Sequence, residues 1–457
     1  MLKGISMRIL LISPMSKGFS DPTPGWLRIP QLSLSILAAM VPPEDEVVTA
    51  EEEFERLPTD EDWDLVGITS MTATAPRAYE LASLFRRNGA KVVLGGIHPS
   101  VLPNEAVEFA NSVVIGEAEG VWEEVLDDAR KNRLKQFYYN SQPDIASSPL
   151  PKRKRRHFAF GFPPYVMPIM FSRGCPNDCE FCCVHTVYGR RQRFIPIENI
   201  LADIKRNGAR RLMFLDDNIG GNRSYATQLF KSLIPLKVKW LGQATIRFIL
   251  DKELFNLAVR SGLKGLFVGV ESIERESLGK MKKSLDSIEL YEKAIRRCRA
   301  ASVAFHASLI FGLDEQTPNV FEKTLDFLLR NSVPSISANI LTPYPGTRLF
   351  KRLLMEKRIL HTNWSYYNHT TVSFQPKNME PEELAEKYIK FRKDFCSYSS
   401  IIRRAYAQLR VTPLVFLGTN IAYRKTTKLL EDHFTNYFRW LRNQKRMPSF
   451  QVSEILK

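Results

Sequence analysis

Four cysteines, three of them spaced C-x3-C-x2-C, and an aromatic residue share one short stretch of the chain, Gly174-Cys175-Pro176-Asn177-Asp178-Cys179-Glu180-Phe181-Cys182-Cys183. Thiolates spaced C-x3-C-x2-C can wrap one face of a cubane iron–sulfur cluster, which normally takes four cysteines. The iron left over is then open to a substrate or cofactor. A structural zinc site needs a second cysteine pair downstream, and the remainder of the chain holds only Cys298 and Cys396. Those two, with no secretion signal ahead of them, also disfavour disulfides. Cys183 is one position out of register and reads as a packed thiol, the usual behaviour of a free cysteine.

Cys175, Cys179, Phe181 and Cys182 match the signature of the radical S-adenosylmethionine (SAM) enzymes, and the chain resembles that family. The resemblance implies a [4Fe–4S] cluster with those three cysteines as its protein ligands and SAM chelated at the open iron. It also implies a reductant such as flavodoxin or ferredoxin. Reduction then cleaves SAM to a deoxyadenosyl radical that abstracts hydrogen.

The cluster loop needs a scaffold on both sides. Residues 7–135 alternate short β-rich runs (Ile9–Ile12, Glu46–Thr49, Leu65–Thr69, Lys91–Leu94, Ser112–Ile115) with helical patterns at Gln31–Met40, Pro76–Asn88, Asn104–Phe109 and Val121–Arg130. Near-continuous apolar strands separated by helices predict a doubly wound parallel sheet, which binds ligands at its strand carboxyl ends. The loops there carry Thr69 and Ser70, then Gly95-Gly96-Ile97-His98-Pro99, then Gly116-Glu117-Ala118-Glu119-Gly120. No G-x-G-x-x-G opens a helix, so a dinucleotide has little support. With the cysteine motif downstream, these loops resemble the Rossmann-like cobalamin-binding domain of B12-dependent radical SAM enzymes. The resemblance implies cobalamin contacts from Thr69, Ser70, Gly95, Gly96, His98, Gly116 and Glu117. The D-x-H-x-x-G motif that supplies a cobalt ligand elsewhere is missing, so a base-off cobalamin without protein histidine is expected. His98 either caps and packs the next helix or touches the cofactor. Residues 1–174 contain no cysteine, which sets the methylthiotransferase branch aside.

From Tyr165 the pattern is strand then helix, six times over: Val166–Ser172, Arg211–Leu215, Trp240–Thr245, Gly265–Val270, Phe305–Phe311 and Ser335–Leu341. A partial (β/α)6 barrel of TIM type is predicted, with reactive loops at strand carboxyl ends and the cysteines following the first strand. In the family the end of the second strand bonds the SAM ammonium, which implies Asp216 or Asp217 here. Gln243, Glu271 and Ser272 end the third and fourth strands as further SAM contacts. Ile310 to Glu315 resembles the adenine motif G-x-I-x-G-x-x-E, implicating Ile310 and Gly312, with Ser308 replacing its first glycine. For each carboxylate a helix cap is the competing reading. Arg247 suits a SAM or substrate carboxylate or else a structural ion pair. Tyr344 suits packing or a substrate-side wall.

The expected organisation is an α/β chain with a cobalamin-binding domain at 1–145, a basic linker at 146–164, a barrel at 165–350 and a helical, basic region at 351–457. Net charge is +16, and residues 401–457 carry 11 Lys+Arg against 3 Asp+Glu. The run Lys152-Arg153-Lys154-Arg155-Arg156 reads as a solvated linker. Thr412–Tyr423 is apolar, flanked by basic residues and too short to span a bilayer. It reads equally as a helix covering the barrel or as a segment lying on an anionic membrane surface. Nucleic acid has little support, since no recognition module is visible. The expected compartment is the cytoplasm, at most peripheral to the inner face of the membrane.

The sequence therefore predicts a cobalamin-dependent radical SAM methyltransferase acting on an unactivated carbon of a lipid or natural-product small molecule. In such chemistry the substrate radical takes a methyl group from methylcobalamin. The competing readings are a radical SAM oxidoreductase or cyclase without methyl transfer, and a cobalamin-binding sensor with an inactive barrel.

Overall fold

The computed structural model describes residues 6–16, 29–140, 142–154, 166–280, 287–408 and 413–444. The first sheet contains β1 (Arg8–Ser13), β2 (Glu46–Glu51), β3 (Leu65–Thr69), β4 (Lys91–Gly95), β5 (Ser112–Gly116) and β6 (Phe137–Asn140). It is parallel throughout, in the order β2-β1-β3-β4-β5-β6. The interior strand β1 reads Arg-Ile-Leu-Leu-Ile-Ser because helices cover both faces. Leu10 and Ile12 join the core under the helix Ala75–Arg87, while Ile9 and Leu11 join that under Trp122–Arg130. The sequence reading missed β6, a short, partly exposed edge strand. It also drew one helix at Asn104–Phe109 where two short turns stand, Ile97–Val101 and Pro103–Ala106. Proline fits the first turn of a helix and breaks one that runs through it.

The second parallel sheet runs β7 (Met167–Ile169), β10 (Arg211–Phe214), β11 (Lys239–Ala244), β12 (Leu263–Glu271), β13 (Ala304–Phe311), β14 (Ser335–Ile340). The predicted first barrel strand stops early. Ser172-Arg173 forms a separate strand β8, antiparallel to β9 (Arg193–Phe194), and this hairpin brackets the cysteine loop. Along β12 to β14, burial alternates with the strand period. Val268, Val270, Ala307, Leu309, Ile336 and Ala338 pack under the helices, while Phe267, His306, Ser308, Ser337 and Asn339 remain half-exposed on the opposite face. That second face lines the hollow of the partial barrel.

The basic linker is only partly solvated. Arg153 makes a buried ion pair with Asp203 on the helix Ile197–Asn207, with Nη2 2.6 Å from Oδ2. Arg155 and Arg156 lie outside the described residues.

Of the two readings of the C-terminal apolar segment, packing supports the helix that covers the barrel. Thr412 lies outside the described residues, and the rest of the apolar segment begins a 31-residue helix, Pro413–Asn443. Phe416, Phe434, Tyr437 and Phe438 are buried along its inner stripe. Of its basic flanks, Arg403, Lys425 and Lys428 are exposed, whereas one arginine is drawn inward. Arg404 is fully buried, donating to the carbonyls of Val333, Pro334 and Phe395 and to Asn420 Oδ1. Its guanidinium lies 3.8 Å from the Phe395 ring centre, and burial pushes its pKa down to about 10. Arg392 is likewise sealed between the Tyr423 ring and the hydroxyls of Tyr388, Thr426 and Thr427. No helix among the described residues is long and apolar enough to cross a membrane.

Placing a carboxylate at Phe416 should therefore damage the fold rather than weaken lipid binding. Phe416→Glu is expected to cost about 3–5 kcal/mol, from a lost core aromatic and an unpaired buried polar group. Urea unfolding measures it, and an unchanged midpoint would return the segment to the surface.

Candidate functional site

The cysteine loop starts at Gly174, whose φ of 90° lies in the left-handed region. A Cβ there would meet the Arg191 carbonyl at 2.5 Å, so only glycine turns the chain this close to its neighbour. Cys182 N donates to the Cys179 carbonyl at 3.3 Å, closing the loop on itself. Cys175, Cys179, Cys182 and Cys183 are all half-buried, whereas Cys298 and Cys396 are buried away from them. Phe181 packs against the barrel core and anchors the loop. Burial pushes the Cys182 thiol up to about 12, with Cys183, Cys179 and Asp217 adding in the same direction. A thiolate there needs a positive partner, which an iron–sulfur cluster supplies. No three His, Cys, Asp or Glu side chains among the described residues form a ready-made site for a metal ion. A cubane, whose thiolates bind separate irons, does not require one.

The two aspartates after β10 divide their work. Asp216 is buried and Oδ1 accepts from Phe171 N at 3.1 Å, Ser172 N at 2.5 Å and Ser172 Oγ at 2.7 Å. It is committed to holding the strand that leads into the cysteine loop, and burial raises its pKa to about 7. Asp217 is exposed and lines a cavity beside the thiols. Of the two alternatives for a SAM contact, Asp217 is the one left available.

The remaining strand ends differ in the same way. Glu271 adopts φ 60° where the β12–β13 register shifts, a bulge of the kind that redirects a side chain at a strand end. Gln243 is exposed, and the β11–β12 register sets it beside Phe267. Ser272 is buried, accepting from Glu274 N at 3.0 Å and from Gln316 Nε2 at 3.4 Å. Gln316, which the sequence reading did not single out, also accepts from Gly312 N and donates to the Ile310 carbonyl. It ties the loops after β12 and β13 together. Asking where a tight loop's backbone groups find partners would have found it. Lower in the hollow, His306 bridges Ser335 Oγ at 2.9 Å and Ser337 Oγ at 2.8 Å, and burial pushes it down to about 4. Tyr344 Oη pairs with His369 Nε2 at 2.9 Å.

A cleft of about 430 Å³ borders the cysteine loop at Pro176 to Cys179 and is lined by Asn218, Thr245 and Arg247. Arg247 is exposed and makes no ion pair among the described residues, which removes the structural ion-pair reading for them.

A second cavity, about 380 Å³ by the same measure and more apolar, opens between the two sheets. Thr69, Ser70, Gly95, Gly96, Gly116 and Glu117 line it from the first sheet, and Met170, Ser172, Tyr188, Leu215 and Asp217 from the barrel. It continues between the sheet and the helix Trp122–Arg130, past Gly67, Val93 and Trp122. Gly96 has φ 96°, and a Cβ would meet Ser70 O and Thr69 Oγ1 at 2.7 Å. Ser70 Oγ and Trp122 Nε1 are buried without a hydrogen-bond partner. Buried polar atoms seldom go unpaired, so a ligand whose edge carries polar substituents would complete this cavity. A corrinoid, with its peripheral amides, fits that description. Met71, another cavity-lining residue, is exposed and apolar at its rim.

His98 does not line the cavity, and this corrects its inclusion among the cofactor contacts. It is fully buried, with Nε2 3.2 Å from Glu105 Oε1 and Nδ1 3.4 Å from Thr72 Oγ1. Glu105 also accepts from Tyr79 Oη at 2.9 Å and from Trp364 Nε1 at 3.0 Å. The histidine thus belongs to a latch between the first domain and the loop at Trp364–Tyr366. No local pattern pairs residues this far apart in sequence.

Residues 169–328 match the Radical SAM superfamily, and residues 26–126 match the B12 binding domain. The chain is 30% identical over 410 residues to bacteriochlorophyllide d C-12(1)-methyltransferase of Chlorobaculum tepidum, covering 86% of this chain and 88% of that protein. It is 30% identical over 417 residues to bacteriochlorophyllide d C-8(2)-methyltransferase of the same organism, covering 86% and 91%. Among solved structures it is similar in fold to the radical SAM methyltransferase TsrM of Kitasatospora setae with cobalamin and a [4Fe-4S] cluster bound. The TM-score there is 0.65 at 15% identity, over 94% of this chain and 100% of that one.

The aspartate pair gives a test by pH. An acid with a raised folded pKa makes the native state hold more protons than the unfolded one, so stability falls as pH rises from 3.8 to about 7. Asp216→Asn keeps the accepting Oδ1 and should flatten this slope in urea unfolding series. An unaltered slope would show that Asp216 is ionised throughout.

Proposed function

The chain belongs to the cobalamin-dependent radical SAM methyltransferases, and from that premise we propose that it methylates an unactivated carbon on a rigid, ring-based small molecule of the cyclic tetrapyrrole kind. The family explains the two cofactor halves, and the sensor reading with an inert barrel is set aside. The observation that carries the substrate proposal is the barrel hollow. Its half-exposed face pairs the Phe267 ring, 4.7 Å from that of His306, with the polar groups of Ser308, Ser337 and Asn339. A flat ring system with a few polar substituents suits such a lining better than a flexible lipid chain does. Both relatives described above act on a bacteriochlorophyllide, by their names, and share 86% of this chain's length.

The chemistry available with the cluster, SAM and corrinoid bound is hydrogen-atom abstraction followed by methyl donation to the resulting carbon radical. The chain's own part is positioning. Cys175, Cys179 and Cys182 would hold the cluster, with Asp217 and Arg247 set to meet the ammonium and carboxylate of SAM. Glu271 and Gln243 would contact SAM from the neighbouring strand ends. Ser70, Gly96 and Trp122 would hold the corrinoid.

Cys175→Ala, Cys179→Ala and Cys182→Ala should each abolish SAM cleavage by the anaerobically reconstituted protein, while Cys183→Ala should keep its iron. Loss of iron in Cys183→Ala would make that residue a ligand and the triad assignment wrong.

Arg247→Ala is expected to weaken SAM binding by about tenfold to a hundredfold, the worth of a charge-assisted hydrogen bond. Equilibrium binding to the reconstituted chain measures it. For the substrate, incubation with methyl-labelled SAM and a panel of chlorophyllides and polycyclic lipids should label a chlorophyllide. Label found only in a lipid would overturn the ring-system proposal while leaving methyl transfer intact.

A further inference from the structure

The residue that ends β8, Arg173, stands two positions before the first cysteine and is nearly sealed from solvent, at 8% exposed. Its ion-pair partners come from the other domain. Nη1 donates to Glu117 Oε2 at 2.5 Å, and Nη2 donates to Glu119. The second oxygen of Glu117 accepts from Arg193 on β9, whose Nη1 also donates to the Pro143 carbonyl at 2.8 Å. Glu117 is itself fixed, since its backbone N–H donates to the Asn140 carbonyl at 2.8 Å. The Arg173 guanidinium lies 6.0 Å from the Tyr188 ring centre. Two arginines and two glutamates thus form one continuous network. Its anionic half ends the corrinoid-side sheet, and its cationic half flanks the cysteine loop.

Stability alone is a poor reason for such a network, because desolvation offsets most of the attraction in a buried ion pair. Its best-attested use is to specify one arrangement over others. Domains in one chain move relative to each other by default unless the interface is large and apolar. Here Arg173, Glu117 and Glu119 all line the cavity between the sheets, where movement would change the gap between the two cofactor sites. Group transfer tolerates little such movement, since reacting atoms must approach within about 3–3.5 Å and a misplacement of about 1 Å can cost a hundredfold.

We propose that the Arg173–Glu117–Arg193–Glu119 network is a positioning device that sets the separation between the corrinoid site and the iron–sulfur cluster. It rests on the cofactor assignment given above. Arg173 acts through the loop it holds and need not touch substrate. The bidentate, planar guanidinium matters because lysine offers a point charge and cannot bond both glutamates in one fixed plane.

The experiment uses the full chain carrying both cofactors and reads distance rather than turnover. Pulsed electron paramagnetic resonance gives the separation between Co(II) and the one-electron-reduced cluster. Wild type should give one narrow distance. Arg173→Gln, at unchanged iron and corrinoid content, should broaden the distribution about twofold or more as the domains regain their default freedom. Arg173→Lys should fall between the two. If Arg173→Gln does not fold, Glu119→Ala removes only the outer bond and should broaden the distribution to a smaller extent. A distribution as narrow as wild type in the folded variant overturns the proposal while the cofactor assignment stands. Failure of the wild type to take up a corrinoid overturns the assignment and the proposal with it.

Discussion

Parallel pairing imposes the constraint on which the rest of this molecule depends. Every strand of a parallel sheet delivers its outgoing loop at the same end, so residues distant in sequence collect there without any direct attraction between them. Both large sheets here obey that rule, and the carboxyl ends of several strands from each open on one cavity. Thr69, Gly95 and Gly116 arrive from one side, and Ser172, Leu215 and Asp217 from the other. The helices that enforce parallel pairing also bury the outer faces of the strands. In β12 to β14 this leaves the alternate residues free to line a hollow rather than fill a core.

What parallel pairing does not supply is the relation between the two sheets. Two polar assemblies supply it from different places. The Arg173 network joins the end of β5 to the hairpin beside the cysteines. The Glu105 latch joins the first domain to the loop at Trp364–Tyr366. Glu117 and Asp216 both look like strand-end ligands in the sequence, yet each is committed to holding neighbouring chain. Their value to the site is indirect, since they fix the loops from which Asp217 and the cysteines are presented.

The C-terminal helix shows how charge can mislead when burial is unknown. Arg392 and Arg404 contribute to the basic excess, but both are core residues whose guanidinium groups bond to hydroxyls, an amide and backbone carbonyls and stack on aromatic rings. Arginine tolerates this environment because its charge is spread over a plane that can stack as well as donate. The apolar stripe carrying Phe434 and Tyr437 joins the barrel core, while Leu417, Ile421 and Leu429 stay exposed. A flat count of basic and apolar residues does not separate these two faces.

The sequence by itself determined the features that are local. The cysteine spacing, the apolar strands, the glycine-bearing loops and the two successive α/β patterns are written in short windows, because period and spacing are properties of neighbouring residues. Five strands of the first sheet and all six of the barrel sheet were legible in this way. Tertiary structure decided which of equivalent residues are free to act. Asp216 and Asp217 are adjacent and chemically identical, and only packing commits the first to Phe171 and Ser172 while leaving the second at the cavity. His98 was removed from the cofactor side by Glu105 and Trp364. Gln316 and Arg173 gained their roles from partners on other loops. These outcomes depend on contacts between segments far apart in the chain, which no window of neighbouring residues contains.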